Sequence, residues 1–437
     1  MNRRSDTRGL RSTISSCPVS SRTCCVSAAM LHAVFAAAAL GQAAYFTGVG
    51  DLSGGLNQSK AWGVSSDGLV VVGQSESAAG TEAFRWTRAA GMTALQDLAG
   101  GPVRCVAWNA NRDGTVIVGW ANNATGELAA VWSAPAYAPL SLGDLPGGAT
   151  FSRAYGVSDA GDLVAGYSQV AGGYQGFRWP GSGAIVALAD LTGGSLGSAA
   201  FAVSGDGTTI VGLGNSAAGV EGTYWRGAGP VSIGALPGAF VDGRAWGVST
   251  DGSVIVGDSI SGNDIEAFRW TQATGMVGLG DLPGGTFDSR AYACSADGAI
   301  LVGLSGYAGV VSPGMCMIWD TSHGIRSLRG VLSNEYGLAA ALAGWQLHDA
   351  TDISADGRTI VGFGTNPAGE LEGWVAFLGV GSGCAGDLTG DRAISEPDLG
   401  ILLAAFNNSN FGDLDNDGDT DEADLGILLA NWSQSCP

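Results

Sequence analysis

The phrase Ala61-Trp62-Gly63-Val64-Ser65-Ser66-Asp67-Gly68, running into Val70-Val71-Val72-Gly73, returns six more times along the chain. The later copies end at Gly119, Gly166, Gly212, Gly257, Gly303 and Gly362, at spacings of 46, 47, 46, 45, 46 and 59 residues. A unit repeated at such a period cannot bury its apolar face alone, so the core must form between neighbouring copies. Two further phrases travel with the first. One ends on Trp86, Trp132, Trp179, Trp225, Trp270, Trp319 and, in the last copy, Phe377. The other reads like LGDLPGG and sets Asp51, Asp97, Asp144, Asp190 and Asp281 at one position, where two copies carry Ala235 and Arg329.

Each phrase is short, aromatic and β-branched, and is bounded by turn residues, which is the pattern of a strand. Asp-Gly between AWGVS and SVIVG marks a hairpin, and Leu282-Pro283-Gly284-Gly285 suits a type II turn. Four strands in about 46 residues, repeated seven times, predict an all-β seven-bladed β-propeller over residues 44–380. A β-solenoid is the alternative, although its repeats are usually shorter. The phase points to closure. Tyr45-Phe46-Thr47-Gly48-Val49 matches the fourth strand of a unit, and the last unit stops before its own fourth strand. The long spacing holds an insertion over residues 334–347, whose Leu338-Ala339-Ala340-Ala341-Leu342 reads as helical.

Glycine accounts for 73 of 437 residues without a three-residue period, which excludes collagen. An apolar fraction of 46% excludes wholesale disorder. The formal net charge of −20, with Lys60 the only lysine, excludes a nucleic-acid binder, which needs clustered cations. The first 23 residues carry five arginines against Asp6, an apolar run follows to about Leu40, and small residues come next. This is the pattern of a secretory signal peptide over residues 1–43, leaving a secreted or cell-surface protein with no membrane span after cleavage. A membrane-tethered N-terminus is the competing reading.

With these phrases in view, the units resemble the HAF repeats of probable extracellular bacterial proteins. The eponymous His-Ala-Phe stands here as Glu82-Ala83-Phe84 and Glu266-Ala267-Phe268. The resemblance spans about residues 45–380 and implies an extracellular protein without a defined activity.

From Cys384 the composition turns acidic: nine Asp and two Glu face one Arg. Asp413, Asp415, Asp417, Asp419, Asp421 and Asp424 fall at positions 1, 3, 5, 7, 9 and 12 of a twelve-residue calcium loop, with Gly418 at position 6 and position 7 giving a carbonyl. Asp387, Thr389, Asp391, Ala393, Ser395 and Asp398 repeat the pattern 26 residues earlier, but Arg392 replaces the glycine. Two Ca²⁺ sites are therefore expected, the one at 413–424 tighter. Each loop leads into Asp-Leu-Gly-Ile-Leu-Leu, the start of a helix. This order of loop then helix, twice, resembles a type I dockerin over residues 381–437, a small α-helical module. The resemblance implies a cohesin-like partner or a cell-surface component, yet loop positions 10 and 11 hold Glu396-Pro397 and Glu422-Ala423 in place of the family's hydroxyl residues. Cys384 and Cys436 bracket the duplication as the natural disulfide pair of an exported domain with little core. A Cys294–Cys316 bond within one repeat unit is left open.

Catalytic chemistry is poorly represented. Only His32, His323 and His348 are present, and no phosphate loop, zinc motif or serine elbow occurs. The recurring Asp residues read as turn-formers or partners of Arg153 and Arg290; Arg85, Arg178 and Arg269 recur likewise. The expectation is a non-catalytic binding or surface protein, glycan being one ligand class. A polysaccharide-degrading enzyme or accessory protein and a structural envelope component are the alternatives. An irregular acidic pair in a deep central pocket would favour the enzyme.

Overall fold

The computed structural model describes residues 44–437 except 228, 239, 285, 307–314, 380–385, 387, 389–393, 407–413, 415–419 and 434–437. The expected signal peptide, Cys384 and Cys436 lie outside the described residues. The repeat region is an all-β propeller. Five sheets are separate four-stranded blades, not the seven expected. The fourth and fifth repeats instead share one eight-stranded sheet, joined where Gly219 and Val220 pair in parallel with Val241 and Asp242.

The local rules of the repeat are visible in each unit. In the first, Ser65 Oγ donates to Asp67 Oδ1 and accepts from Val70 N–H, while Gly68 takes φ +75° to close the hairpin. The same Ser–Asp turn recurs at Ser204–Asp206, Ser249–Asp251, Ser295–Asp297 and Ser354–Asp356. The glycine that ends each copy has a different cause. The register shifts between Ala245 and Gly247, as at the matching point of every inner strand, and the bulge pushes a carbonyl over the partner strand. A Cβ on Gly257 would stand 1.9 Å from Arg244 O and 2.8 Å from the Phe268 ring.

The core sits between neighbouring units. Val72 and Ala83 of the first repeat pack with Ile117, Ala130 and Trp132 of the second, all buried. Serine side chains stitch the units together. Ser152 Oγ accepts from Ala129 N–H and donates to Gly143 O; Ser289 does the same with Ala267 and Gly280. Cys105 Sγ takes this place in the second unit, accepting from Ala83 N–H. Cys105, Cys294 and Cys316 are free thiols, so the Cys294–Cys316 bond is not formed. Burial pushes the Cys105 and Cys294 thiols up to about 12.

Closure follows the predicted phase. Tyr45–Gly48 pairs antiparallel with Leu371–Phe377 and supplies the fourth strand of the last unit. Near the hairpin turns, backbone N–H groups reach from one repeat to the next: Asp67 to Arg112 O, Arg112 to Asp159 O, and Asp159 to Gly205 O. The series continues from Asp206 to Thr250 O, Thr250 to Ala296 O, Ala296 to Ala355 O, and Ala355 back to Ser66 O, at 2.8–3.4 Å.

The insertion differs from expectation. The helix is α1 (Leu328–Asn334), which ends where the insertion starts, and residues 338–342 form turns that bury Leu338 and Leu342. In the tail, α2 (Glu396–Ala405) and α3 (Glu422–Ala430) pack through Leu402 and Leu428. No helix among the described residues is long and apolar enough to cross a membrane.

Candidate functional site in the central channel

The inner strand of each repeat turns alternate side chains toward the channel, producing layers. The first layer contains Trp62, Trp108, Tyr155, Phe201, Trp246 and Tyr292, one from each of six repeats. The second is aliphatic, with Val64, Ala110, Val157, Val203, Val248, Cys294 and Ile353. The third is small or polar and includes Ser66, Asp159, Gly205 and Thr250. Ser66 Oγ donates to Asp159 Oδ1 at 2.6 Å, spanning from the first repeat to the third at that end. The cavity has a volume of about 560 Å³.

The six aromatic side chains touch in sequence. Ring centroids are 4.7 Å apart for Trp62–Trp108, 5.1 Å for Trp108–Tyr155, 5.8 Å for Tyr155–Phe201, 4.4 Å for Phe201–Trp246 and 6.4 Å for Trp246–Tyr292. Such contacts fix ring orientation, and two indoles are anchored further. Trp62 Nε1 donates to Gln74 Oε1 at 3.1 Å, and Trp246 Nε1 donates to Asp258 Oδ1.

The seventh repeat breaks the pattern. Thr351 stands where the others place an aromatic ring, and Asp349 and Asp352 flank it in the cavity wall. Burial raises Asp349 to about 6 against the opposing pull of Lys60 and Arg290. Its Oδ1 is buried without a hydrogen-bond partner. Burial raises Asp352 to about 7, although its oxygens accept from Val64 and Ile353 N–H at 2.9 and 2.8 Å. Lys60 lies 4.6 Å from the Phe363 ring centroid and 5.3 Å from that of Trp62, and burial lowers its pKa. His348, also lowered by burial, faces Thr365 Oγ1 at 3.0 Å.

Among the recurring carboxylates, Asp97 and Asp190 have structural roles. Asp97 accepts from Leu98 and Arg104 N–H, and Asp190 accepts from Leu191 and Gly197 N–H, so these residues hold turns. Arg153 pairs with Glu127 and Arg290 with Asp288, which corrects the proposed pairing with the recurring Asp. Arg269 donates to Gly298 O, Arg85 lies 5.5 Å from the Tyr137 ring centroid, and Arg178 is exposed. These three arginines do not join the channel wall.

No known family profile and no curated protein sequence matches the chain. Among solved structures, the chain is similar to TolB from Acinetobacter baumannii, at 11% identity and a TM-score of 0.41, covering 61% of this chain and 62% of that one. It therefore spans less than two thirds of that protein. It is also similar to an oligogalacturonate lyase from Vibrio parahaemolyticus, at 9% identity and a TM-score of 0.47, covering 77% and 97%. A putative TolB from Agrobacterium tumefaciens is 17% identical with a TM-score of 0.40, covering 66% and 95%.

Of the twelve expected calcium ligands, Ser395, Asp398, Asp421 and Asp424 are described. Ser395 and Asp421 are the N-cap residues of α2 and α3, and each closes a capping box with the buried Asp398 or Asp424 three residues on. Asp424 accepts from Asp421 N–H at 2.8 Å and from Leu414 N–H. The other eight lie outside the described residues, among which no cluster of three or more His, Cys, Asp or Glu has metal-holding geometry.

The aromatic wall comes from the second residue of the AWGVS phrase in each unit. The signal was present: Trp, Trp, Tyr, Phe, Trp and Tyr occupy one position, with Thr351 the exception. Asp349 and Asp352 could have been found by the same alignment of units.

Proposed function

We propose that the protein is an exported, non-catalytic binding protein whose seven repeats act as one ring around a glycan-binding cup. The observation that carries this reading is the wall of six aromatic side chains, in mutual contact, around the central cavity. A sugar offers apolar C–H faces to such rings and hydroxyls to a few polar groups, here Asp349 and Asn109. The contacts between rings pre-organise the wall, so little ordering cost is left for binding. The acidic tail serves as a calcium-dependent, dockerin-like attachment module. Its outward Glu396 and Glu422 suit a basic or divergent cohesin-like partner on a scaffold or cell surface. A glycan array with the whole protein tests the cup. Binding lost in Trp108→Ala, with unchanged melting, is expected; binding that survives this change refutes it.

A polysaccharide-degrading role is the second reading, and one observation favours it: Asp349 and Asp352 form an irregular acidic pair within one repeat. Asp352 already accepts two backbone N–H groups, which leaves Asp349 as the one acid free to act on a ligand and weakens a two-carboxylate mechanism. Hydrolysis of a bound glycan, abolished by Asp349→Asn, would establish the enzyme.

A further inference from the structure

The third repeat departs from the others on the side of the channel away from the Ser66–Asp159 contact. Tyr155, in the aromatic wall, stacks on Tyr167 at 5.6 Å and 14° between ring planes. Tyr167 meets Tyr174 edge to face at 5.4 Å, and Phe151 lies 6.0 Å from both. Tyr174 is 47% exposed. The fold does not require these residues. Gln58, Arg104, Gly197, Asp242 and Asp288 occupy the place of Phe151 in other repeats, and Thr81, Glu127, Val220 and Ile265 that of Tyr174. The trail is also stiffened. The Arg153 guanidinium lies 5.0 Å from the Phe151 ring centroid and pairs with Glu127.

From this continuous run of rings between the cavity wall and the surface, we infer that the cup is one end of an extended subsite, and that its ligand is a linear, neutral polysaccharide leaving the channel over the third repeat. The inference rests on the glycan-binding reading above. A compact ligand would need only the cup. A chain continues outward, and successive sugar units can each meet one ring, with a tyrosine hydroxyl beside them for hydrogen bonds. The Tyr155 hydroxyl already bonds to Tyr167 and Arg153, so the exposed Tyr174 supplies the hydroxyl that a sugar would meet. Neutrality follows from the charge of the whole protein, −20, which disfavours an anionic chain; beside the trail the Arg104 and Arg153 guanidiniums share the Glu127 carboxylate.

The test uses the whole protein and size-graded cello-, xylo-, manno- and chito-oligosaccharides, read by calorimetry. Affinity for at least one series is expected to rise with chain length. The double change Phe151→Ala, Tyr174→Ala should remove that gain, at least about fivefold for the longest chain, and leave the shortest binder unchanged. Trp108→Ala should weaken every length. Binding that does not rise with length, or a double variant equally weak at all lengths, overturns the trail while leaving the cup intact. No binding by any series overturns both.

Discussion

A missing methyl group explains seven of the 73 glycines. At Gly73, Gly119, Gly166, Gly212, Gly257, Gly303 and Gly362, an added Cβ would come within about 2 Å of a carbonyl on the bulged inner strand. Gly257→Ala is therefore expected to cost at least about 2 kcal/mol, read by urea unfolding, because neither the backbone nor the Phe268 ring can give way. The buried acids make a second prediction at this scale. Burial raises Asp349 and Asp51 to about 6 and Asp352 to about 7, above their unfolded values. The native state thus holds protons that the unfolded chain releases. Stability from these groups is full below about pH 4 and is lost as pH rises through 6 to 7. His348, lowered by burial, acts in the opposite sense. Melting in chelator should be higher at pH 5 than at pH 8, and Asp352→Asn should flatten the difference. A higher melting temperature at pH 8 would contradict this account.

At the scale of elements, the strand Tyr45–Gly48 has the largest consequence for its length. It pairs with the final strand of the last unit and places Phe46 against Trp345 and Trp374. Removing residues 45–54 should lower the melting temperature of the whole propeller, since an unpaired edge and an opened core appear together. An unchanged melting curve would show that closure does not depend on this strand. This element was legible in the sequence because the repeat begins and ends out of phase. The joined sheet of the fourth and fifth repeats was not. It depends on two parallel backbone pairs at Gly219–Val241 and Val220–Asp242, and backbone pairing leaves no mark in side-chain pattern. Leu338–Leu342 differs for a related reason: two Leu four residues apart, with Ala between, suit a helix, but Leu338 and Leu342 are buried within turns. The aromatic wall was readable in principle, because one position per repeat carries it. The trail through Phe151 and Tyr174 was not, since it joins residues of different strands.

For the whole molecule, the acidic tail and the propeller call for different conditions. Six Asp and Glu422 crowded into one loop repel each other without a cation, so calcium binding and order in residues 413–424 should be linked. Calorimetry on the full chain should detect calcium uptake that Asp415→Ala, Asp417→Ala reduces at least about tenfold, with propeller melting unaffected. Absence of calcium uptake by the unaltered chain would refute the loop reading. The propeller has its own signature. Its inner N–H groups, from Asp67 round to Ala355, each bond to the next repeat, and the last returns to the first. An open array of repeats has two ends from which it can fray, whereas a circuit has none. These seven amide protons should therefore exchange with solvent at one common slow rate, as a single clock for opening the ring.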